Sequence, residues 1–226
     1  MDEHKRRLIH SSADCHWRTG PDLYGALDRI FHFDIDLAAT AENCLVQKKE
    51  INHDLNGYDL LDVYLGPDHP ATALRDALTV AWHTVGKVGF LNPPFSLTLY
   101  SQYLEQGIPR EELGWLRIEN WAWKAYQESL KGFTTIGVFP YAPQTEWFRQ
   151  YVMGHALKEA KANGGPVGWS GHAALDCWRI PHRVSFLRAD GKEASNAGVN
   201  TCIIQWSPNP GFVGPWSPSM RYWSFR

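Results

Sequence analysis

The chain has almost no net charge, with 22 Lys and Arg against 24 Asp and Glu over 226 residues. It therefore lacks the global basic field that drives nonspecific nucleic-acid binding, and any nucleic-acid contact has to be a local patch. Cysteine pairs are missing too. Cys15, Cys44, Cys177 and Cys202 stand far apart, with no Cys-x-x-Cys and no histidines at finger spacing. That pattern argues against a zinc site and for reduced, mostly buried thiols. His10, His53, His69, His83 and His182 show no ligand spacing either, and no metal is expected. There is no apolar run of membrane-spanning length. The charged start, Met1-Asp2-Glu3-His4-Lys5-Arg6-Arg7, does not resemble a signal peptide, so a cytoplasmic protein without membrane contact is expected. A Gly-x-Gly-x-x-Gly fingerprint is absent, which argues against a dinucleotide fold of the usual kind. Trp169-Ser170-Gly171-His172 brings a serine and a histidine close, but no Gly-x-Ser-x-Gly elbow supports a nucleophile there. Internal repeats and low-complexity tracts are also lacking.

What the chain has is apolar and aromatic material: 44% hydrophobic residues and 11 tryptophans. That is enough to bury a full core, and residues 1–226 are read as one domain. Taken in order, the pattern is of strands alternating with helices, which predicts an α/β fold. Pro21 opens a segment with Leu23, Leu27, Ile30 and Phe31 at helical spacing. The Thr19 hydroxyl beside that helix start is either an ordinary cap or, with the positive helix end, a holder of a carboxylate. Residues 33–39 read as a strand whose small carboxyl end, Ala38-Ala39, lets a ligand approach the backbone, with Asp34 and Asp36 on one face. Thr40 to Leu45 reads as a capped helix start. Asp54, Asp59 and Asp62 follow, and one of them is a candidate for the ribose hydroxyls of a nucleoside cofactor. A helix over 73–82 leads into a strand at 88–91. Further helices are predicted over 119–131 and 143–161, with a strand at 133–139 between them. Strands at 183–187 and 201–206 then form a terminal antiparallel hairpin.

The stretch most suited to chemistry is Asn92-Pro93-Pro94-Phe95, directly after the run Val88-Gly89-Phe90-Leu91. Two prolines fix φ twice and remove two donors, so a rigid strand end presents acceptors only. If the Asn92 side-chain oxygen and the Pro93 carbonyl each accept one N–H of an exocyclic amine, the nitrogen lone pair is freed for attack. Phe95 offers a flat apolar face on which a base can stack. The bland alternative is that Asn-Pro-Pro merely terminates a strand.

Together these pieces resemble the phage-type, Dam-like DNA N6-adenine methyltransferases of bacteriophages and prophages. The matching residues are Trp17-x-Thr19 with Pro21, Asp36-x-Ala38-Ala39 with Glu42-Asn43, Asn92 to Phe95, Pro140 followed by Thr145-x-Trp147-Phe148, and Arg183-x-x-Phe186. The resemblance implies a Rossmann-like, class I methyltransferase with a mostly parallel sheet and an antiparallel end hairpin. It implies S-adenosyl-L-methionine as cofactor and double-stranded DNA as partner, inside a bacterial host. Trp17, Thr19, Asp36 and Ala38 would surround the cofactor, and Asn92, Pro93, Pro94 and Phe95 the target base. The chain departs from the family in three places. Gly20 separates Thr19 from Pro21, the tetrad ends in Phe95 where tyrosine is commoner, and residues 97–118 look like an insertion, one that carries target selection or only elaborates the fold. Cytosine N4, an RNA base and a protein amide present the same donor pair, and a catalytically silent DNA-binding protein would keep the same fold. The oligomeric state is not legible.

Overall fold

The computed structural model describes residues 18–46, 64–153, 176–180, 184, 186–187, 192, 200–208 and 221–222. Trp17, the acids Asp54, Asp59 and Asp62, Ser170 with its neighbours, and the predicted helix beyond residue 153 lie outside them. The described chain is a mixed α/β structure. Its main sheet holds β2 (Ile35–Asp36), β3 (Val88–Leu91), β4 (Thr134–Pro140), β5 (Asp176–Arg179), β7 (Thr201–Trp206) and β8 (Arg221–Tyr222), in the spatial order β2-β3-β4-β7-β5-β8. The pairs β2–β3, β3–β4 and β5–β8 are parallel, whereas β7 runs antiparallel between β4 and β5. A separate ribbon pairs β1 (Arg18–Thr19) with β6 (Phe186–Leu187).

This corrects the predicted terminal hairpin. The 186–187 strand does not pair with 201–206. Instead, β7 takes its antiparallel partners from β4 and from β5, a short strand that the sequence pattern did not flag. Hairpin reasoning assumes that neighbours in sequence pair in space. Here the alternating apolar residues of β7, with Ile203 on one face and Cys202, Ile204 and Trp206 on the other, suit a central position covered on both sides.

Strand alternation distributes the core between two faces. Ile136, Val138, Phe90 and Ile203 point to one, where they meet Leu23, Tyr24 and Leu27 of α1 (Pro21–Phe31). Leu91, Phe139, Ile204 and Trp206 point to the other, against Trp121, Ala122 and Ala125 of α2 (Ile118–Ser129) and Trp147 and Phe148 of α3 (Glu146–Tyr151). Proline at the first turn of α1 loses no hydrogen bond there, and His32, in the left-handed conformation at φ 53°, ends the helix. Ile30, expected inward, is 55% exposed, because Tyr24 occupies the buried face instead.

Two predicted helices are absent. Residues 40–45 form a turn in which the Asn43 side chain accepts the Thr40 amide at 2.6 Å, and the Leu45 amide goes to Asp36 at 3.3 Å. Over 73–82 the chain makes only short 3₁₀ turns, since the Asp76 side chain competes for the Leu78 amide at 3.1 Å. Residues 97–116, expected as extra sequence, carry a helix of nine residues (Leu97–Glu105) and a 3₁₀ segment (Arg110–Leu116). These close over an apolar cluster of their own, formed by Leu99, Tyr103, Ile108, Leu113 and Leu116. Among the described residues no helix is long and apolar enough to cross a membrane.

Candidate functional site

The site follows from one register. Asp36 of β2 lies opposite Phe90 of β3, and a strand repeats every two residues, so Ala38 and Asn92 come next on that same face. Both strands are parallel and end there. Side chains from their carboxyl ends therefore share the cleft that α/β sheets commonly use for ligands. Thr19, Asp36, Ala38 and Asn92 all line it, joined by Arg18, Asn43 and Phe90. Its cavity volume is about 30 Å³, room for a water or two in the ligand-free protein. Four residues singled out for cofactor and base are thus brought together from positions 19, 36, 38 and 92.

Thr19 is decided by what it does not do. The cap position of α1 is Gly20, in extended conformation at φ −64° and ψ 148°, and no side chain caps the helix. Thr19 is 2% exposed, yet its Oγ1 has no hydrogen-bond partner among the described residues. Leaving a buried hydroxyl unpaired costs about 1–3 kcal/mol, so such a group marks a place where a partner binds. The neighbouring Arg18 Nε is in the same condition, although Arg18 Nη2 reaches Glu42 Oε1 at 3.1 Å. The sequence pattern did not single out Arg18; its adjacency to Thr19 in a two-residue strand was the available signal.

Asp36 forms the other end. It is 4% exposed and accepts the amides of Ala38 at 3.4 Å and Leu45 at 3.3 Å. Burial, only partly offset by those two bonds, pushes its carboxyl up to about 7. No cation pairs with it among the described residues, which for an aspartate this buried is the mark of a functional group. Asp34, on the same face by sequence, is spent otherwise. It is exposed, and its Oδ2 accepts the Lys87 and Val88 amides at 3.0 Å each, pinning the start of β3. Burial and the nearby Asp36 push the Cys44 thiol up to about 12, which leaves it protonated and unreactive.

The cleft wall is held from outside β2. Tyr64 bridges Asp36, the Leu65 amide bonds Asp36 O at 2.7 Å, and the Ala39 amide bonds Leu65 O at 3.0 Å. Only glycine fits at Gly66, where a Cβ would sit 1.6 Å from the Ala39 carbonyl oxygen.

No family model, curated protein or solved structure matches the chain. One end of the cleft offers donors, the Thr19 hydroxyl and the Arg18 guanidinium. The other end offers acceptors, the Asp36 carboxylate and the Asn92 amide oxygen, and the small Ala38 side chain lies between. Asn92 leaves β3 half-buried at the cleft, Pro93 is buried, Pro94 is half-buried, and Phe95 is 37% exposed. At that exposure Phe95 is not part of the core. Pro93, Pro94 and Phe95 do not line the cleft and continue from its rim towards Ser96, whose Oγ accepts the Leu99 amide at 3.2 Å.

Proposed function

We propose that the chain is an S-adenosylmethionine-dependent methyltransferase of Rossmann-like, class I type that modifies adenine N6 in double-stranded DNA. The observation that carries this reading is the convergence of Thr19, Asp36, Ala38 and Asn92 in one cleft, with a buried Thr19 hydroxyl that no described residue satisfies. The parallel strands β2, β3 and β4, with helices on both faces of the sheet, support the same fold reading.

The residues present suit such a cofactor. Thr19 and Arg18 offer hydrogen-bond donors for a carboxylate, Asp36 an acceptor for hydroxyls, and Ala38 leaves the backbone approachable. When bound, S-adenosylmethionine supplies an electrophilic methyl group. The protein's part is then to prepare the amine. The Asn92 side-chain oxygen and the Pro93 carbonyl accept its two N–H bonds, which draws the nitrogen towards tetrahedral geometry and turns its lone pair outward. The two prolines keep those acceptors in place before the base arrives, so no reorganisation is needed at the reacting centre. Phe95, exposed three residues beyond Asn92, offers the stacking face for a base taken out of the helix.

The test is expression in a methylation-free host followed by sequencing that detects modified bases, together with calorimetric titration of the purified protein with S-adenosylmethionine. Micromolar cofactor binding and N6-methyladenine in a fixed context are expected. Binding without adenine modification, with labelled methyl appearing on cytosine, RNA or protein, would move the target to another amine. Absence of cofactor binding would overturn the reading altogether.

A further inference from the structure

We propose that Arg179, backed by Tyr141, holds a phosphate of the nucleic-acid backbone on the same edge of the sheet as the target-base site. The proposal rests on the reading of the cleft as that of a DNA methyltransferase and adds a contact far from it in sequence. Strand polarity makes the juxtaposition. β5 is antiparallel to β7, and β7 is antiparallel to β4, so β5 runs the same way as β3 and β4. Arg179 at the end of β5, Tyr141 just after β4 and Asn92 just after β3 therefore occupy one edge. Between β3 and β5 the sheet order interposes β4 and β7, a lateral separation of roughly 14 Å. That is about four base-pair rises of a duplex, so one strand of DNA entered at Asn92 has backbone within reach of Arg179.

Among the described residues the Arg179 guanidinium has no carboxylate partner. Its guanidinium lies over the Tyr141 ring, 5.5 Å from the centroid, and its Nε is buried with no hydrogen-bond partner among the described residues. No described carboxylate forms an ion pair with it; the ion pairs present involve Arg18, His83, Arg117, Lys124 and Lys131. Tyr141 is itself tied down, its amide bonded to Asn200 O at 2.7 Å and its ring edge-on to Phe148 at 5.6 Å. A planar donor fork stacked on a fixed ring, with no carboxylate among the described residues, suits a tetrahedral oxyanion, which it can meet with two parallel bonds. On this edge the oxyanion is a backbone phosphate.

The experiment is fluorescence anisotropy of a labelled duplex containing the methylated site, titrated over a range of salt concentrations. Arg179→Gln is expected to reduce the slope of log K against log salt by about 0.9, the loss of one phosphate contact. Its S-adenosylmethionine affinity and melting temperature should stay those of the unaltered protein. Tyr141→Leu, which keeps the charge but removes the ring behind it, should weaken binding several-fold with the slope retained. A folded Arg179→Gln protein with unchanged duplex affinity and slope would overturn the proposal while leaving the methyltransferase reading intact. Should Arg179→Gln fail to fold, unchanged duplex affinity in Tyr141→Leu would overturn it instead. If the unaltered protein binds cofactor but no duplex, the DNA reading falls first and takes this contact with it.

Discussion

Single side chains decide the chemistry, and three of them can be separated by substitution. Asn92→Ala should abolish methyl transfer while cofactor affinity stays within a few-fold, because losing an acceptor poised at the reacting centre costs on the order of 3 kcal/mol in the barrier. Near-normal turnover by the folded variant would refute the role given to Asn92. Thr19→Val tests a hydroxyl that no described residue satisfies. Removing a buried group that lacks a partner should raise the stability of the ligand-free protein by about 1 kcal/mol and lower its affinity for S-adenosylmethionine, whereas a structural hydroxyl would lose stability. Denaturant titrations with and without cofactor tell the two apart. Asp36 is a question of pH. Its carboxyl is raised from 3.8 to about 7, so its contribution to stability is complete below about pH 4 and is lost as pH rises through about 7. Asp36→Asn should abolish that slope in urea denaturation of the ligand-free protein. Cofactor binding should run the other way, strengthening as pH rises through about 7, since the ionised carboxylate is the better acceptor. Both the identity of Asn92 and the acceptor-only character of its prolines were legible in four letters of sequence. Asp36 was singled out over Asp34 only through the family resemblance, since alternation puts both on one face; the structure shows Asp36 buried and Asp34 exposed.

At the level of elements, the segment 97–116 behaves as a unit with its own apolar cluster and with its ends side by side. The Ser96 amide bonds Leu116 O at 3.2 Å. Replacing residues 98–113 with a short glycine-serine link should therefore close without displacing β3. Because Leu99, Tyr103, Ile108 and Leu113 bury themselves largely against one another, cofactor affinity should be preserved. Asn120 Nδ2 would lose the Gly114 oxygen it now holds at 2.9 Å if that turn relaxes, a cost of about 1 kcal/mol. Just past the segment, Arg117, ion-paired with Glu119, also lies 5.5 Å over the ring of Tyr100 within it, an interleaving of charge and ring suited to phosphate and base contacts. Duplex affinity or site preference should accordingly weaken in the shortened protein. Unchanged values for both would make the segment a structural elaboration only. Its helix escaped the sequence pattern because its apolar residues serve a small satellite core and not the main sheet, which blurs the periodicity a long amphipathic helix would show.

For the molecule as a whole, one acid-sensitive carboxylate lies far from the cleft. Glu128 is fully buried at the end of α2, where burial alone would raise its carboxyl. Lys124 Nζ at 2.8 Å and His83 Nδ1 at 2.6 Å instead carry it down to about 2. A carboxyl lowered on folding contributes above its unfolded value, near 4.5, and loses that contribution as pH falls through about 2. Glu128→Gln should therefore destabilise the protein at neutral pH by about 3 kcal/mol, since it removes the buried partner of Lys124 and His83, and by much less at pH 2. Thermal melts at the two pH values read the difference. The sequence by itself determined what depends on near neighbours. Pro21 starts a helix, apolar runs make strands of 88–91 and 201–206, and Asn92-Pro93-Pro94 leaves a rigid strand end bearing acceptors. Only the tertiary structure decided that β7 lies between β4 and β5, that Thr19 is buried with its hydroxyl unmet by any described residue, that Asp36 shares a face with Asn92, and that Arg179 ends on the same edge. Each of those is a relation between residues far apart in the chain. Burial and strand pairing are settled by which distant surfaces meet, and local periodicity carries no record of that.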